Sequence, residues 1–274
     1  MTSPTQLSVS LPPTLHPAAG RHPAMRHANN IICIASGKGG VGKTWLAVTL
    51  SHALARLGRR TLLFDGDLGL ANVDVQLGLM PQRDLGGVVA GHITLAEAVS
   101  RFEAGGFDIV AGSSGTGTLA ALPGPRLLAL RDDLLVLSGR YDRVVLDLGA
   151  GIDDAVRLMA DAAGTLLLVT TDEPTALTDA YAFIKLTAAS RQGTDFRIVV
   201  NLAATPREGE RTYAKLLKAC EGFLQLSPQL AGIVRRDARV RDAIRSQTSL
   251  LIRHPTTEAA ADVEAIVARL DHGP

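Results

Sequence analysis

The sequence is short of the residues that mark most specialised classes of protein. Two cysteines, Cys33 and Cys220, cannot supply a disulfide framework or a zinc site from one chain, and they point to a reducing compartment. Aromatic residues make up 4% of the chain, which leaves few rings for stacking nucleic-acid bases. Basic and acidic residues almost cancel, 28 against 27 for a formal charge of +1, so no whole-molecule field draws the chain to nucleic acid or an anionic membrane. No uninterrupted apolar run reaches the roughly 18 residues of a membrane span. The first 30 residues contain no acid, five of the 13 prolines and three of the seven histidines. They lack the apolar stretch of a signal peptide and read as a flexible leader, with Met25 as an alternative start. A cytoplasmic protein is the expectation.

What remains is ample for one large core: 274 residues, 46% of them hydrophobic. From Ile31 onward short apolar runs alternate with longer segments of helical period. This predicts an α/β domain over residues 31–274 with a doubly wound, mainly parallel sheet flanked by helices. Strands are expected at 31–35, 61–65, 107–110, 143–147, 165–169, 196–201 and 232–234. Helices are expected near 43–57, 126–139, 152–162, 175–190, 208–224 and 256–270. No repeat of 20 to 50 residues is present.

The first strand runs into Gly37-Lys38-Gly39-Gly40-Val41-Gly42-Lys43-Thr44, which fits the G-x-x-x-x-G-K-[ST] phosphate loop in a strand-loop-helix setting. Glycines let the backbone wrap close enough for its N–H groups to face phosphate oxygens, and the following helix adds its positive end. Lys43 would neutralise the β- and γ-phosphates and Thr44 would ligate Mg²⁺. Gly37, Gly39 and Gly42 also satisfy the dinucleotide pattern G-x-G-x-x-G, with Asp65 where a ribose-binding acid would stand. A dinucleotide site, however, has no use for Lys43 and Thr44.

Asp65 and Asp67 lie at and just past one strand end, and Asp147 at another. That edge is where ligands collect in open α/β sheets, and a carboxylate there can hold a Mg²⁺-bound water. Each alone would read as a helix cap or loop acid; three at matching strand ends read as a magnesium-nucleotide site.

These residues carry a family resemblance. Lys38 to Thr44 resembles the deviant Walker A loop of the MinD/ParA ATPases, marked by an extra early lysine. The run Asp65-Gly66-Asp67-Leu68-Gly69-Leu70-Ala71-Asn72-Val73-Asp74 resembles the switch I segment of the MinD branch, and Asp147 to Gly151 its switch II. The segments Leu68 to Leu79, Gly149 to Val156 and Thr171 to Tyr181 are most similar to the FlhG (FleN) branch, which controls flagellar number and placement. The resemblance implies an ATPase that binds ATP or ADP with Mg²⁺ and forms an ATP-dependent homodimer. Lys38 would reach the partner subunit's phosphates, Asp67 would position the attacking water, Asp65 and Asp147 would serve the Mg²⁺ shell, and Asn201 would contact adenine. Flagellar assembly or regulatory proteins are the implied partners, and they could recruit the chain to a cell pole or the inner membrane. A ParA-like DNA-partition ATPase and a non-hydrolysing nucleotide-binding module are the alternatives.

Several positions depart from the family pattern. Trp45 replaces a small or hydroxylated residue and is expected to pack in the core. Arg235 stands where relatives have a proline near adenine, which bears on base selectivity. The leader shows no motif for activating a partner GTPase. The stretch from Thr257 to Leu270 has apolar residues at helical spacing but is net acidic, so a core-facing helix is expected rather than strong direct membrane binding. The basic clusters Arg207, Arg211, Lys215, Lys218 and Arg235, Arg236, Arg239, Arg241, Arg245 lack interleaved aromatics and read as solvated helix faces, with DNA binding the alternative.

Overall fold

The apolar runs become strands because each is covered on both sides, and the period of two along them shows it. Ile31, Cys33 and Ala35 face one hydrophobic core, while Ile32 and Ile34 face another. A computed structural model describes residues 27–67, 72–112 and 121–271; most of the expected leader and the switch I residues Leu68, Gly69, Leu70 and Ala71 lie outside them.

The strands are β1 (Ala28–Ala35), β2 (Thr61–Asp65), β3 (Val99–Phe102), β4 (Phe107–Val110), β5 (Arg143–Asp147), β6 (Ala163–Thr170), β7 (Asp195–Ala203) and β8 (Gln229–Arg235). They form one sheet in the order β3-β4-β2-β5-β1-β6-β7-β8. Every pairing is parallel except that of β3 with β4. The helices are α1 (Lys43–Arg56), α2 (Val73–Leu77), α3 (Leu85–Val89), α4 (Gly124–Ser138), α5 (Asp154–Ala160), α6 (Pro174–Ser190), α7 (Pro206–Leu224), α8 (Ala238–Arg245), α9 (Leu250–Arg253) and α10 (Glu258–Asp271). Helices α4, α5, α6 and α7 cover one face of the sheet, while α1, α9 and α10 cover the other. This is the doubly wound α/β architecture the alternation predicts.

Differences from the expected elements have local causes. β1 starts at Ala28, so it takes three residues of the expected leader. There Asn30 Nδ2 donates to the carbonyls of Ser138 (2.9 Å) and Tyr141 (3.0 Å), fixing the strand entry. β3 was not expected, because four residues that include Ser100 and Arg101 give no apolar run; it is held by antiparallel pairing to β4 at the sheet edge. The expected terminal helix is α10, with Ala259, Val263, Ile266, Val267 and Leu270 all buried. Trp45 is buried within the core, as expected from packing. Among the described residues no helix is long and apolar enough to cross a membrane.

Chain order places the site. β1 is central, with β5 and β6 on either side, so the connections leaving β1 and β5 diverge at their C-terminal ends and open a crevice at the loop after Ala35.

Candidate functional site

The loop after β1 turns into α1 at Gly42, which has φ 91° and is a left-handed helix N-cap, a conformation that favours glycine. No side chain caps that end and no acid occupies the first turn. The helix N-terminus is therefore free to donate backbone N–H groups to an anion. Gly37 is fixed by a close approach, because a Cβ there would sit 2.4 Å from the backbone oxygen of Asp179 in α6. The loop is thus wedged against the helix that begins at Pro174.

Lys43 is only 8% exposed, and its Nζ donates to Ser36 Oγ at 2.9 Å. The Ser36 hydroxyl in turn donates to the Lys38 carbonyl at 2.6 Å. Burial lowers the Lys43 pKa, an effect opposed by the negative charges of Asp147 and Asp67. A buried ammonium held by one neutral hydroxyl is under-compensated.

The acids complete the edge. Asp65 and Asp147 are register partners at the ends of β2 and β5, and they are 0% and 1% exposed. Burial, with Asp65 adding its charge, pushes the Asp147 carboxyl up to about 8; Thr44 and Lys43 oppose the rise. Both Asp147 oxygens are buried without a partner of hydrogen-bond geometry, so the Thr44 hydroxyl lowers this pKa from nearby without satisfying them. Asp65 is also raised by burial, to about 6. Its oxygens, unlike those of Asp147, are engaged: Oδ1 accepts from the Asp67 N–H at 3.2 Å, and Oδ2 from Asn72 (3.3 Å) and Val73 (3.2 Å). Asp65 thereby anchors the start of α2. Asp67 lies against the switch II glycine: a Cβ on Gly149 would meet its carboxyl carbon at 3.3 Å.

The residues singled out from sequence therefore converge on one edge: Gly37, Lys38, Gly39, Gly40, Val41, Gly42, Lys43 and Thr44 after β1, Asp65 and Asp67 after β2, Asp147 at the end of β5 and Asn201 in β7. Asn201 Nδ2 donates to the Val41 carbonyl at 2.8 Å. Arg235 ends β8 at the same edge, as the register partner of Ala203, but its side chain is engaged elsewhere. It pairs with Asp262 (2.8 Å) and Glu258 (2.7 Å), clipping β8 to α10. The other members of the basic clusters, Arg207, Arg211, Lys215, Lys218, Arg236, Arg239, Arg241 and Arg245, are exposed.

Three functional neighbours escaped the sequence reading. Lys38 Nζ is paired with Glu173 of its own chain and donates to Thr175 Oγ1 at 2.9 Å. Ser36 is the other. The Glu173-Pro174-Thr175 run is visible as a helix start, but its contact with a lysine 135 positions away has no local signature.

The residues present fit a magnesium ion. The chemistry of the set, a threonine hydroxyl at the start of α1 and buried carboxylate oxygens with no hydrogen bond, suits a hard cation that prefers oxygen ligands. Asp147 and Thr44 meet this description best, since the Asp65 oxygens are already engaged.

Comparison with known proteins agrees with this geometry. Residues 32–250 match the family model described as CobQ/CobB/MinD/ParA nucleotide binding domain. The antiactivator FleN of Pseudomonas aeruginosa is 41% identical over 248 residues, 90% of this chain and 88% of that protein. The flagellum site-determining protein YlxH of Helicobacter pylori is 31% identical over 241 residues, 87% of this chain and 81% of that one. Among solved structures, the septum site-determining protein MinD from Pyrococcus horikoshii, complexed with Mg-ADP, superposes with a TM-score of 0.74. It is 23% identical, over 89% of this chain and 96% of that one.

Proposed function

The chain belongs to the CobQ/CobB/MinD/ParA nucleotide-binding family, and we propose that it is an ATP-hydrolysing switch that dimerises on ATP and controls the number or placement of the bacterial flagellum. The observation that carries the nucleotide reading is the under-compensated buried charge at one strand edge. Lys43 donates only to the neutral Ser36 hydroxyl, and Asp147 has two buried oxygens without hydrogen bonds. A magnesium nucleotide supplies both counter-charges at once. The MinD relative complexed with Mg-ADP supports the same ligand class.

In this reading the open N-terminus of α1 and Lys43 hold the β- and γ-phosphates. Thr44 and Asp147 would hold Mg²⁺, which would supply positive charge beside the phosphates. Asp65 keeps the segment that starts α2 in register, and Asp67 orients the attacking water. Lys38 in the single chain rests on Glu173 and Thr175. To reach a second copy's phosphates it must leave them, so closing the dimer exchanges one set of contacts for another. Hydrolysis then times the reopening.

The flagellar role rests on the two relatives whose names state it, the antiactivator FleN and the flagellum site-determining YlxH. An antiactivator restrains an activator, so a regulatory protein is the expected partner. A surface near α6 and the loops after Asp67 and Asp147 suits such a partner, because α6 and the loop after Asp147 adjoin the nucleotide edge and can report the γ-phosphate. The chain acts in the cytoplasm and reaches a pole or membrane through such partners.

The direct test is to add Mg-ATP to purified protein and follow binding by calorimetry, mass by light scattering and phosphate release. Binding, doubling of mass and slow turnover are expected; failure to bind ATP, or preference for NAD, overturns the reading. Deleting the gene in its native cell and counting flagella by electron microscopy tests the placement role, which an unchanged number and position would overturn.

A further inference from the structure

Asn201 sits in β7 directly beneath the phosphate loop, and both ends of its side-chain amide are committed to backbone. Nδ2 donates to the Val41 carbonyl at 2.8 Å, and Oδ1 accepts from the Leu202 N–H at 2.8 Å. The residue is 2% exposed. The fit is tight on the loop side, where a Cβ on Gly42 would land 2.4 Å from Nδ2. Gly42, at φ 91°, is the residue that turns the loop into α1. On the other side Leu202 is held at φ 58°, a left-handed conformation that a leucine adopts only when its surroundings impose it. The β7–β8 pairing slips between Val200 and Ala203 at this point. The strand end is thus bent around one amide, and that amide grips the turn from which the phosphate-facing N–H groups emerge.

We propose that Asn201 is a positioning residue for the phosphate loop: it fixes the Val41–Gly42 turn, and so sets affinity for the phosphate chain of any nucleotide. A primary amide has two hydrogens and two acceptor sites. One hydrogen and one acceptor site are spent on the chain's own backbone before any base arrives. Val41 and Gly42 immediately precede Lys43 and Thr44, so a shift of the turn displaces the ammonium and the hydroxyl together. The effect of losing the brace is therefore felt at the phosphates.

The inference rests on the nucleotide-binding reading above, and its test separates the two. Asn201→Asp keeps the shape and the bond from Leu202 but replaces the donor facing Val41 with an oxygen. Asn201→Ala removes both bonds. After circular dichroism establishes that each variant is folded, calorimetry with ATP, GTP and inorganic tripolyphosphate, each with Mg²⁺, measures affinity against wild type. Trp45, the only tryptophan, lies one residue after Thr44 in the core, and acrylamide quenching of its emission reports the loop with no nucleotide present. That readout stands on the isosteric Asp variant even if the Ala variant fails to fold. The expected result is a common loss, on the order of tenfold, for every ligand the wild type binds, with Trp45 more accessible in the free protein. A loss confined to ATP with Trp45 unchanged makes Asn201 a reader of the base and overturns the proposal; so does unchanged affinity for all ligands. Wild-type protein that binds no nucleotide would overturn the functional reading instead.

Discussion

Two aspartates flank the same strand, and the structure treats them in opposite ways. Asp142 precedes β5 at the N-terminal edge of the sheet, where Arg60 binds it through the guanidinium (2.9 Å) and the backbone N–H (2.8 Å); these bonds hold its carboxyl down to about 2. Asp147 ends β5 at the other edge, buried and without hydrogen bonds, and is pushed up to about 8. At the N-terminal edge the charges find partners within the chain. Beside the Arg60–Asp142 pair, Arg59 and Arg143 both bind Asp271 (2.8 and 3.2 Å) and tie the end of α10 to the strand starts. The C-terminal edge is finished only by something carrying both signs of charge. A fold can afford one such edge because the rest of the sheet is fully covered, and the ligand's binding energy offsets what burial costs there.

The largest way to break this contrast is to remove the cation of the unfinished edge. Lys43→Ala should weaken Mg-ATP by on the order of 100-fold or more with little change in fold, measured by calorimetry and circular dichroism. Retained affinity would mean the phosphates sit elsewhere. Next come the residues that act once nucleotide is bound. Asp67→Ala should accumulate as an ATP-bound dimer, and Lys38→Ala should bind ATP yet stay monomeric in light scattering. Glu173→Ala, which removes the ion pair that holds Lys38 to its own chain and leaves only the Thr175 hydroxyl, should shift dimerisation to lower protein concentration. If Glu173→Ala leaves the dimer equilibrium unchanged, the contact of Lys38 with its own chain plays no part in the switch.

A smaller effect comes from protonation. The Asp147 carboxyl titrates at an ordinary 3.8 when unfolded and at about 8 when folded without nucleotide. Between those values the native state holds a proton that the unfolded state has released, so stability falls as pH rises through that window. Asp147→Asn should therefore be more thermostable than wild type at pH 8 without nucleotide and should lose most of its pH dependence above 6. A residual slope below that remains from Asp65, raised to about 6. With Mg-ATP the order should reverse, since only the carboxylate can serve the cation. Parallel melting curves for the two proteins from pH 5 to 8.5 would show that Asp147 is not the charged group this edge depends on.

Much of the site was legible because its chemistry is local. A glycine-rich loop between a strand and a helix, with aspartates closing other strands, is written in contiguous residues. The central strands were legible for the same reason, as unbroken apolar runs such as Leu62-Leu63-Phe64. The short elements α2, α3, α8 and α9 were not, because each is a turn or two of helix whose stability comes from neighbours rather than from its own period. Gln247, for instance, supports α2 by donating to the Val75 carbonyl at 3.3 Å, a contact that no reading of the α2 sequence contains. Lys38 with Glu173, Asn201 with Val41 and Arg235 with Asp262 are pairings of the same kind. Arg235 shows the consequence: its place in the sequence suggests a neighbour of the base, and only the structure shows its guanidinium engaged by two carboxylates of α10.

The smallest expected effect lies at the finished edge. Asp142→Asn removes a charge that is partly exposed, so solvent screening limits its contribution, and the backbone N–H of Arg60 retains an acceptor in the amide oxygen. The depressed carboxyl contributes stability above its unfolded value near 4 and loses it as pH falls toward about 2. The variant should therefore melt slightly below wild type at pH 7, and the gap should shrink in high salt and close as the solution is taken to pH 2. Its Mg-ATP affinity and dimerisation should match wild type, because nothing in the Arg60–Asp142 pair reaches the strand ends where the loop and switches lie. A loss of ATP affinity on this substitution would mean that the two ends of β5 are coupled through the sheet, and the contrast between a closed edge and an open one would have to give way to a single electrostatic unit.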